Sequence, residues 1–202
     1  METKERILDE ALTLFAKRGC GAVSVREIAR AVGVRESSLY NHFANKQAIF
    51  DAIVDRCFQR AQAYFEENAL PFAPGDGDAV FRGVGLEELQ ALVERIFRYF
   101  FEDPWNTRFR RLLVISQFED HRCREIYRQL YRDYCLRFQA CLFAGLMEAG
   151  ELREEDPMAL AVEFYSPIYL LLHTCDGLEE ARPAMRAHVE QFTKNYWREK
   201  RA

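Results

Sequence analysis

The 202-residue sequence predicts an all-α protein of about nine helices. Apolar residues recur at helical spacing along most of the chain, and no stretch shows the alternation typical of β-strands. Glycine and Asp-Pro signals separate the helical segments. No internal repeat or low-complexity tract is present. We expect two domains, a small one over residues 1–50 and an all-helical one over residues 51–202.

The composition suits a globular protein with a sizeable core, because 49% of the residues are hydrophobic and 30% are charged. The formal net charge is −4, yet residues 1–50 carry eight Lys/Arg against six Asp/Glu. The positive balance at the N-terminal end favours an anionic partner there. No apolar run approaches the roughly 18 residues of a membrane span, and Met1 is followed by charges instead of a signal peptide. These features predict a cytoplasmic protein without a membrane segment.

The six cysteines show no metal-binding spacing and no CxxC pair. We interpret them as reduced core residues, and a redox-sensing thiol is the alternative. No metal or cofactor is predicted. The sequence also lacks a nucleophile elbow, a phosphate-binding glycine loop and the Glu-x-x-His pattern of di-iron sites, which argues against an enzyme.

The first helix is predicted over residues 3–18, where Ile7, Ala11 and Phe15 form one apolar stripe and Gly19 ends the helix. A second helix begins at Ser24. Ser24 and Glu27 have the spacing of a capping box, with Val23 and Ile28 at the staple positions.

Gly33 permits a tight turn, and a third short helix follows over residues 35–42 with Leu39 and Phe43 inward. Two helices joined by such a turn form the helix-turn-helix pattern, whose second helix enters the DNA major groove. The outer face can hydrogen-bond phosphates or base edges and consists of Arg35, Ser37, Ser38, Tyr40, Asn41 and His42. Asn45 caps the next helix. Lys46 opens that helix, either as a solvated side chain or as part of a phosphate site.

Residues 3–54 resemble the DNA-binding domain of the TetR/AcrR transcriptional regulators. The matching residues are Ile7, Ala11, Phe15, Gly19, Ser24, Val25, Ile28, Ala29, Val32, Gly33, Val34, Leu39, Tyr40, His42, Phe43, Lys46 and Ile53. The chain departs from the common pattern at Arg35, Glu36 and Ser37, so the operator sequence of other members does not transfer.

The resemblance implies a role for nine residues in binding double-stranded operator DNA. The phosphate-binding set is Ser24, Tyr40, His42 and Lys46. The set facing the groove or its edges is Arg26, Arg35, Ser37, Ser38 and Asn41.

Further helices are predicted over residues 46–68, 86–103, 105–118, 122–149 and 157–175, with a surface loop over residues 71–85. Asp156 and Pro157 provide a strong helix start, and Pro183 is expected to start the last helix.

The last two helices have wide apolar faces, which predict either intrachain packing or pairing with a second copy. The family pairs through these helices, so we expect a homodimer. The predicted interface residues are Ala161, Tyr165, Ile168, Leu172, Met185, Val189, Phe192 and Tyr196.

Aromatic residues are abundant beyond residue 50, and the resemblance implies an inducer site among them for a small apolar or aromatic ligand. The predicted pocket residues are Phe97, Phe101, Trp105, Phe109, Tyr127, Tyr131, Tyr134, Phe138, Tyr165 and His173. The leading interpretation is a repressor released from a palindromic operator by the ligand. The alternatives are a regulator with a solid core and no ligand response, or an activator.

Overall fold

A computed structural model describes residues 2–75 and 78–198, without the side chain of Asp78. The described residues form eleven α-helices and one π-helix. They are α1 Thr3–Arg18, α2 Val25–Val32, α3 Glu36–Tyr40, α4 Lys46–Glu67, α5 Asp78–Phe81, α6 Leu86–Glu102, α7 Pro104–Ser116, α8 His121–Arg128, the π-helix Gln129–Tyr134, α9 Cys135–Glu148, α10 Pro157–Thr174 and α11 Leu178–Tyr196. No strand occurs in the described ranges, so the predicted all-α class is confirmed.

The helices exceed the predicted nine for two reasons. The expected helix over residues 122–149 divides into α8, a π-helical turn and α9. The expected loop over residues 71–85 contains α5, which forms where Phe81 is buried. Residues 76 and 77 of that loop lie outside the described residues.

The chain folds into two compact units. The first comprises residues 1–61 and 104–129, and the second comprises residues 62–103 and 130–202. The N-terminal helices therefore share a core with α7 and α8. The predicted boundary at residue 50 stays a prediction.

In the first unit α1 is the central helix, packed against α2 and α7. Ile7, Ala11 and Phe15 of α1 are fully buried, as their spacing predicts. Arg108 of α7 donates hydrogen bonds to Thr13 Oγ1 at 2.6 Å and Asp9 Oδ1 at 2.7 Å. This arginine ties α7 to α1.

In the second unit α10 packs against both α9 and α11, and α11 packs against α6. Phe143 of α9, Phe164 of α10 and Phe192 of α11 meet with ring centroids 4.9–5.7 Å apart. The Glu94 carboxylate of α6 accepts hydrogen bonds from Arg182, at 3.1 Å, and from Arg186. The layer formed by α9, α10 and α11 thus has an aromatic centre, and ion pairs join α11 to α6.

Asp156 caps α10 as predicted, because its carboxylate accepts the Ala159 N–H at 2.6 Å. Pro183, however, lies inside α11, and the prediction that it starts this helix is wrong. The helix begins at Leu178, where Leu178 and Ala181 are buried. Burial of this first turn outweighs the one backbone hydrogen bond that Pro183 cannot make.

The predicted interface residues of α10 and α11 face the core of their own chain. Seven are buried, at 5% exposure or less, and Tyr196 is half-buried, with its hydroxyl donating to Glu163 at 2.8 Å. These side chains therefore pack largely within their own chain, and their assignment to a dimer interface stays a prediction. The large apolar side chains that stay exposed on α10 are Met158, Val162 and Leu170.

Candidate DNA-binding surface

The cap of α2 is the capping box that the sequence predicts. The Glu27 N–H donates to Ser24 Oγ at 3.3 Å, and the Ser24 N–H donates to Glu27 Oε2 at 2.8 Å. Arg18 donates to the same carboxylate at 2.8 Å. The Ser24 backbone N–H, followed by Arg18 and the Ser24 hydroxyl, lowers the pKa of Glu27 to about 2. The start of α2 is thereby fixed to the end of α1.

Gly33 adopts the left-handed conformation that the turn requires, with φ 77°. Its N–H donates to Arg30 O at 3.1 Å, and the Val34 N–H donates to Ala29 O at 3.0 Å. Arg6 of α1 donates to Val32 O at 2.6 Å, which satisfies a carbonyl at the end of α2. The turn is therefore held by backbone groups and by one arginine from α1.

Helix α3 presents one apolar and one polar side. Leu39 and Phe43 are buried beneath it, at 0% and 5% exposure. Most of the predicted DNA-binding side chains are accessible to solvent on the first unit. Ser24, Arg26, Arg35, Ser37, Tyr40, Asn41 and His42 are exposed, whereas Ser38 and Lys46 are half-buried.

Helix α3 ends at Tyr40, two residues before the predicted end. Asn41 and His42 lie in the following turn, where the His42 N–H donates to Leu39 O at 2.9 Å. Residues in a turn project in directions different from those of helical residues. The predicted DNA-binding residues of this region therefore lie partly on the short helix α3 and partly, at Asn41 and His42, in the turn that follows it.

Lys46 makes contacts that the sequence did not indicate. Its ammonium donates to Cys20 O at 2.8 Å, Val23 O at 2.9 Å and Gly21 O at 3.4 Å. In this structure Lys46 holds the loop between α1 and α2 against the start of α4. Asn45 caps α4 as predicted, accepting the Ala48 N–H at 2.8 Å.

The predicted pocket residues occur in both units. Trp105, Phe109 and Tyr127 are buried in the first unit. In the second unit Phe97, Phe101, Tyr131 and Tyr165 are buried, and Tyr134, Phe138 and His173 are half-buried.

One part of this set is gathered into an aromatic cluster of the second unit. The His173 ring lies 6.5 Å from Tyr131 and 4.2 Å from Tyr169, and Tyr169 lies 5.9 Å from Tyr165. Cys135 borders the cluster, and burial raises the pKa of its thiol to about 11. Sequence reasoning missed Tyr169, although it lies four residues from both Tyr165 and His173 and so shares their helix face.

A separate open groove of about 460 Å³ lies where α4 ends, lined by Gln62, Glu66, residues 69–73 and Val80. None of the predicted pocket residues lines it. In the part of the chain that the structure describes, no three His, Cys, Asp or Glu side chains are grouped to hold a metal ion. No described helix is long and apolar enough to cross a bilayer.

A capped helix, a left-handed glycine turn and a second helix with a polar outer face define a helix-turn-helix protein. Residues 7–53 match the family model described as bacterial regulatory proteins, tetR family. The N-terminal segment of the chain is therefore similar to the DNA-binding segment of the TetR family. The family and the relatives that match this segment are regulators, not enzymes.

Curated relatives match the same end of the chain. The chain is 36% identical over 55 residues to the biofilm operon icaADBC HTH-type negative transcriptional regulator IcaR of Staphylococcus epidermidis, and 38% identical over 55 residues to IcaR of Staphylococcus aureus strain Newman. Each match covers 27% of this chain and 30% of the relative. The chain thus spans about 30% of the length of the curated relatives it matches.

Solved structures resemble the whole chain. SmeT, the repressor of the Stenotrophomonas maltophilia multidrug efflux pump SmeDEF, has a TM-score of 0.63 and 21% identity, over 99% of this chain and 93% of SmeT. Its complex with triclosan has a TM-score of 0.66 at 21% identity, over 99% of this chain and 94% of that one. PfmR of Thermus thermophilus has a TM-score of 0.66 at 24% identity, over 95% and 96%. At these identities the likeness establishes the fold.

Proposed function

We propose that the protein is a homodimeric transcriptional repressor that binds a palindromic operator and is released by a small apolar or aromatic ligand. The observation that carries the proposal is the exposed polar side of α3, held by a capped α2 in a segment that matches the TetR family. Repression, rather than activation, is favoured by the descriptions of IcaR as a negative regulator and of SmeT as a repressor. Such a protein acts in the cytoplasm, where it has access to DNA.

The exposed side chains form two groups, one suited to contacts with base edges and one suited to contacts with phosphates. Arg35 and Asn41 carry the donor groups that pair with guanine and adenine edges, so they are assigned to base contacts together with Arg26, Ser37 and Ser38. Tyr40 is 47% exposed and, with Ser24 and His42, is assigned to phosphates, which position the protein without reading sequence. Lys46 contributes positive charge while its ammonium holds three carbonyls.

The support for a homodimer comes from the exposed side of α10. Met158, Val162 and Leu170 are 46%, 45% and 59% exposed, and with exposed Ser166 they follow a four-residue spacing along one helix face. Adjacent exposed apolar side chains are characteristic of contact surfaces, and identical copies pair most simply about a two-fold axis. A two-fold dimer places two α3 helices on two half-sites, which explains why the operator is expected to be palindromic.

The support for a ligand response comes from the aromatic cluster of Tyr131, Tyr165, Tyr169 and His173. An apolar site with a few hydroxyl groups suits a small aromatic molecule. A structure of SmeT, which shares the fold, has been solved as a complex with triclosan. Release requires that the ligand bind the DNA-incompetent conformation more tightly than the DNA-bound one.

The experiment that tests the DNA assignment is selection of genomic fragments by the purified protein, followed by titration of the selected DNA and of unrelated DNA at two salt concentrations. We expect an enriched inverted repeat and binding that weakens with salt. Tyr40→Ala should weaken binding to both DNAs by a similar factor, because phosphate contacts carry no base information.

The matched control is Phe118→Ala, which removes another aromatic side chain of the first unit, 79% exposed and outside α2 and α3. It should leave binding unchanged. Salt-dependent binding without an enriched sequence, or equal effects of the two variants, would contradict the assignment.

A further inference from the structure

Glu36 is the acidic side chain of the proposed DNA-binding helix α3. Residues 20–45 contain two carboxylates, Glu27 and Glu36. Glu27 is already engaged, because Arg18 donates to it at 2.8 Å and it closes the cap of α2. Glu36 is exposed, and in the part of the chain that the structure describes its carboxylate forms no hydrogen bond or ion pair. One unpaired negative charge therefore lies on a surface assigned to an anionic partner.

The position of Glu36 in α3 indicates which part of the DNA it meets. Glu36 is the first residue of the helix, directly after Arg35. In a helix-turn-helix the N-terminal residues of the second helix contact base edges. Tyr40, which is assigned to a phosphate, lies one turn further along the same side, because residues four apart on a helix are neighbours. Glu36 thus lies at the end of α3 that meets base edges.

The chemistry of a carboxylate restricts the base that Glu36 can contact. An ionised carboxylate only accepts hydrogen bonds, so the phosphates offer it nothing. The major groove presents two donors, the amino groups at N4 of cytosine and N6 of adenine. The adenine amino group lies beside the N7 acceptor, which would oppose the second carboxylate oxygen. Cytosine presents its amino group without a neighbouring acceptor on the same base, so cytosine is the better partner.

We propose that Glu36 is a specificity-determining residue that accepts a hydrogen bond from the N4 amino group of one cytosine in each operator half-site. The inference rests on the proposed operator binding and names one base pair within it. Where another base occupies that position, the carboxylate meets no matched donor and is repelled by the phosphates. Glu36 therefore weakens binding to unrelated DNA while it stabilises binding to the operator.

The test uses synthetic operators built from the inverted repeat that the 202-residue protein selects. Each cytosine of one half-site is replaced in turn by 2-pyrimidinone, a base that lacks only the N4 amino group. Fluorescence anisotropy measures the affinity of the wild type, Glu36→Ala and Glu119→Ala for every operator and for unrelated DNA. Glu119 is the matched control, because it is another exposed carboxylate of the first unit and lies outside α2 and α3.

We expect one substituted cytosine to weaken the wild type and Glu119→Ala about tenfold more than it weakens Glu36→Ala. Glu36→Ala should also bind unrelated DNA more tightly than the wild type at low salt, because a repulsive charge has been removed. Circular dichroism verifies that each variant is folded.

Three results would overturn the inference. The first is that every substitution weakens the wild type and Glu36→Ala by the same factor, which is what a purely structural role at the start of α3 would produce. The second is a selected half-site without cytosine. Both leave the proposed operator binding intact and reject only the contact of Glu36. The third is selection that enriches no sequence, which would also reject the proposed sequence-specific regulator.

Discussion

Gln139 of α9 offers a direct test of how buried polar atoms affect the stability of this fold. Its side chain is 8% exposed, and its Oε1 atom is buried without a hydrogen-bond partner among the described residues. The helix positions one turn to either side face α10, since Cys135 interacts with Tyr165 and Phe143 lies 5.7 Å from Phe164. Gln139 therefore lies on the side of α9 that packs against α10.

Replacing this glutamine with leucine is expected to stabilise the protein. A buried acceptor without a partner costs about 1–3 kcal/mol, and leucine has a similar size without polar atoms. Gln139→Leu should therefore raise the free energy of unfolding by about 1–3 kcal/mol. For a chain of this length, each kcal/mol corresponds to an increase of about 2–4 °C in Tm.

The matched control is Gln90 of α6, which is 9% exposed and donates its Nε2 hydrogen to Arg186 O at 3.1 Å. Gln90→Leu removes a satisfied group and should lower the free energy of unfolding by about 0.5–1.5 kcal/mol. Urea titration followed by circular dichroism measures both variants against the wild type. If Gln139→Leu loses stability as Gln90→Leu does, the Oε1 atom has a partner, such as a buried water, and the reasoning is refuted.

Two further predictions concern pH and assembly. The pKa of Glu27 is lowered to about 2 from an ordinary 4.5, so its stabilising contribution is present above about pH 4.5 and is lost as pH falls through 2. The difference in Tm between the wild type and Glu27→Gln should therefore shrink between pH 4.5 and pH 2, and a difference independent of pH would argue against the cap assignment. The double variant Val162→Glu with Leu170→Glu should yield folded monomers by light scattering, because two carboxylates would be buried against a second copy. Phe58→Glu, at an exposed apolar position of α4, should stay dimeric, and a dimeric double variant would exclude this face of α10.

Local signals in the sequence predicted most of the fold. The Ser24–Glu27 cap, the Gly33 turn and the Asp156 start each depend on residues within three or four positions, where spacing alone determines which atoms meet. The outer face of α3 followed from the same logic, because Leu39 and Phe43 identify its buried side. Such features can be predicted from one sequence.

Contacts between distant segments could not be predicted in this way. Arg108 reaches Asp9 across 99 positions, and nothing in the local pattern of α7 indicates that pairing. Helix α10 carries apolar residues on two sides, so periodicity could not decide whether Ile168 faces the core of its own chain or a second copy. The structure assigns Ile168 to the interior and leaves Leu170 59% exposed.

The contacts of Lys46 have a consequence for which sequence changes this domain tolerates. The acceptors at residues 20, 21 and 23 are all backbone carbonyls, and every amino acid supplies the same carbonyl. The loop between α1 and α2 can therefore change side chains at its exposed positions while keeping its path. Lys46 has no such freedom, because the loop depends on three hydrogens from one ammonium group. Among homologues that keep this loop, variation should be concentrated at exposed residues 21 and 22 and should be absent at residue 46.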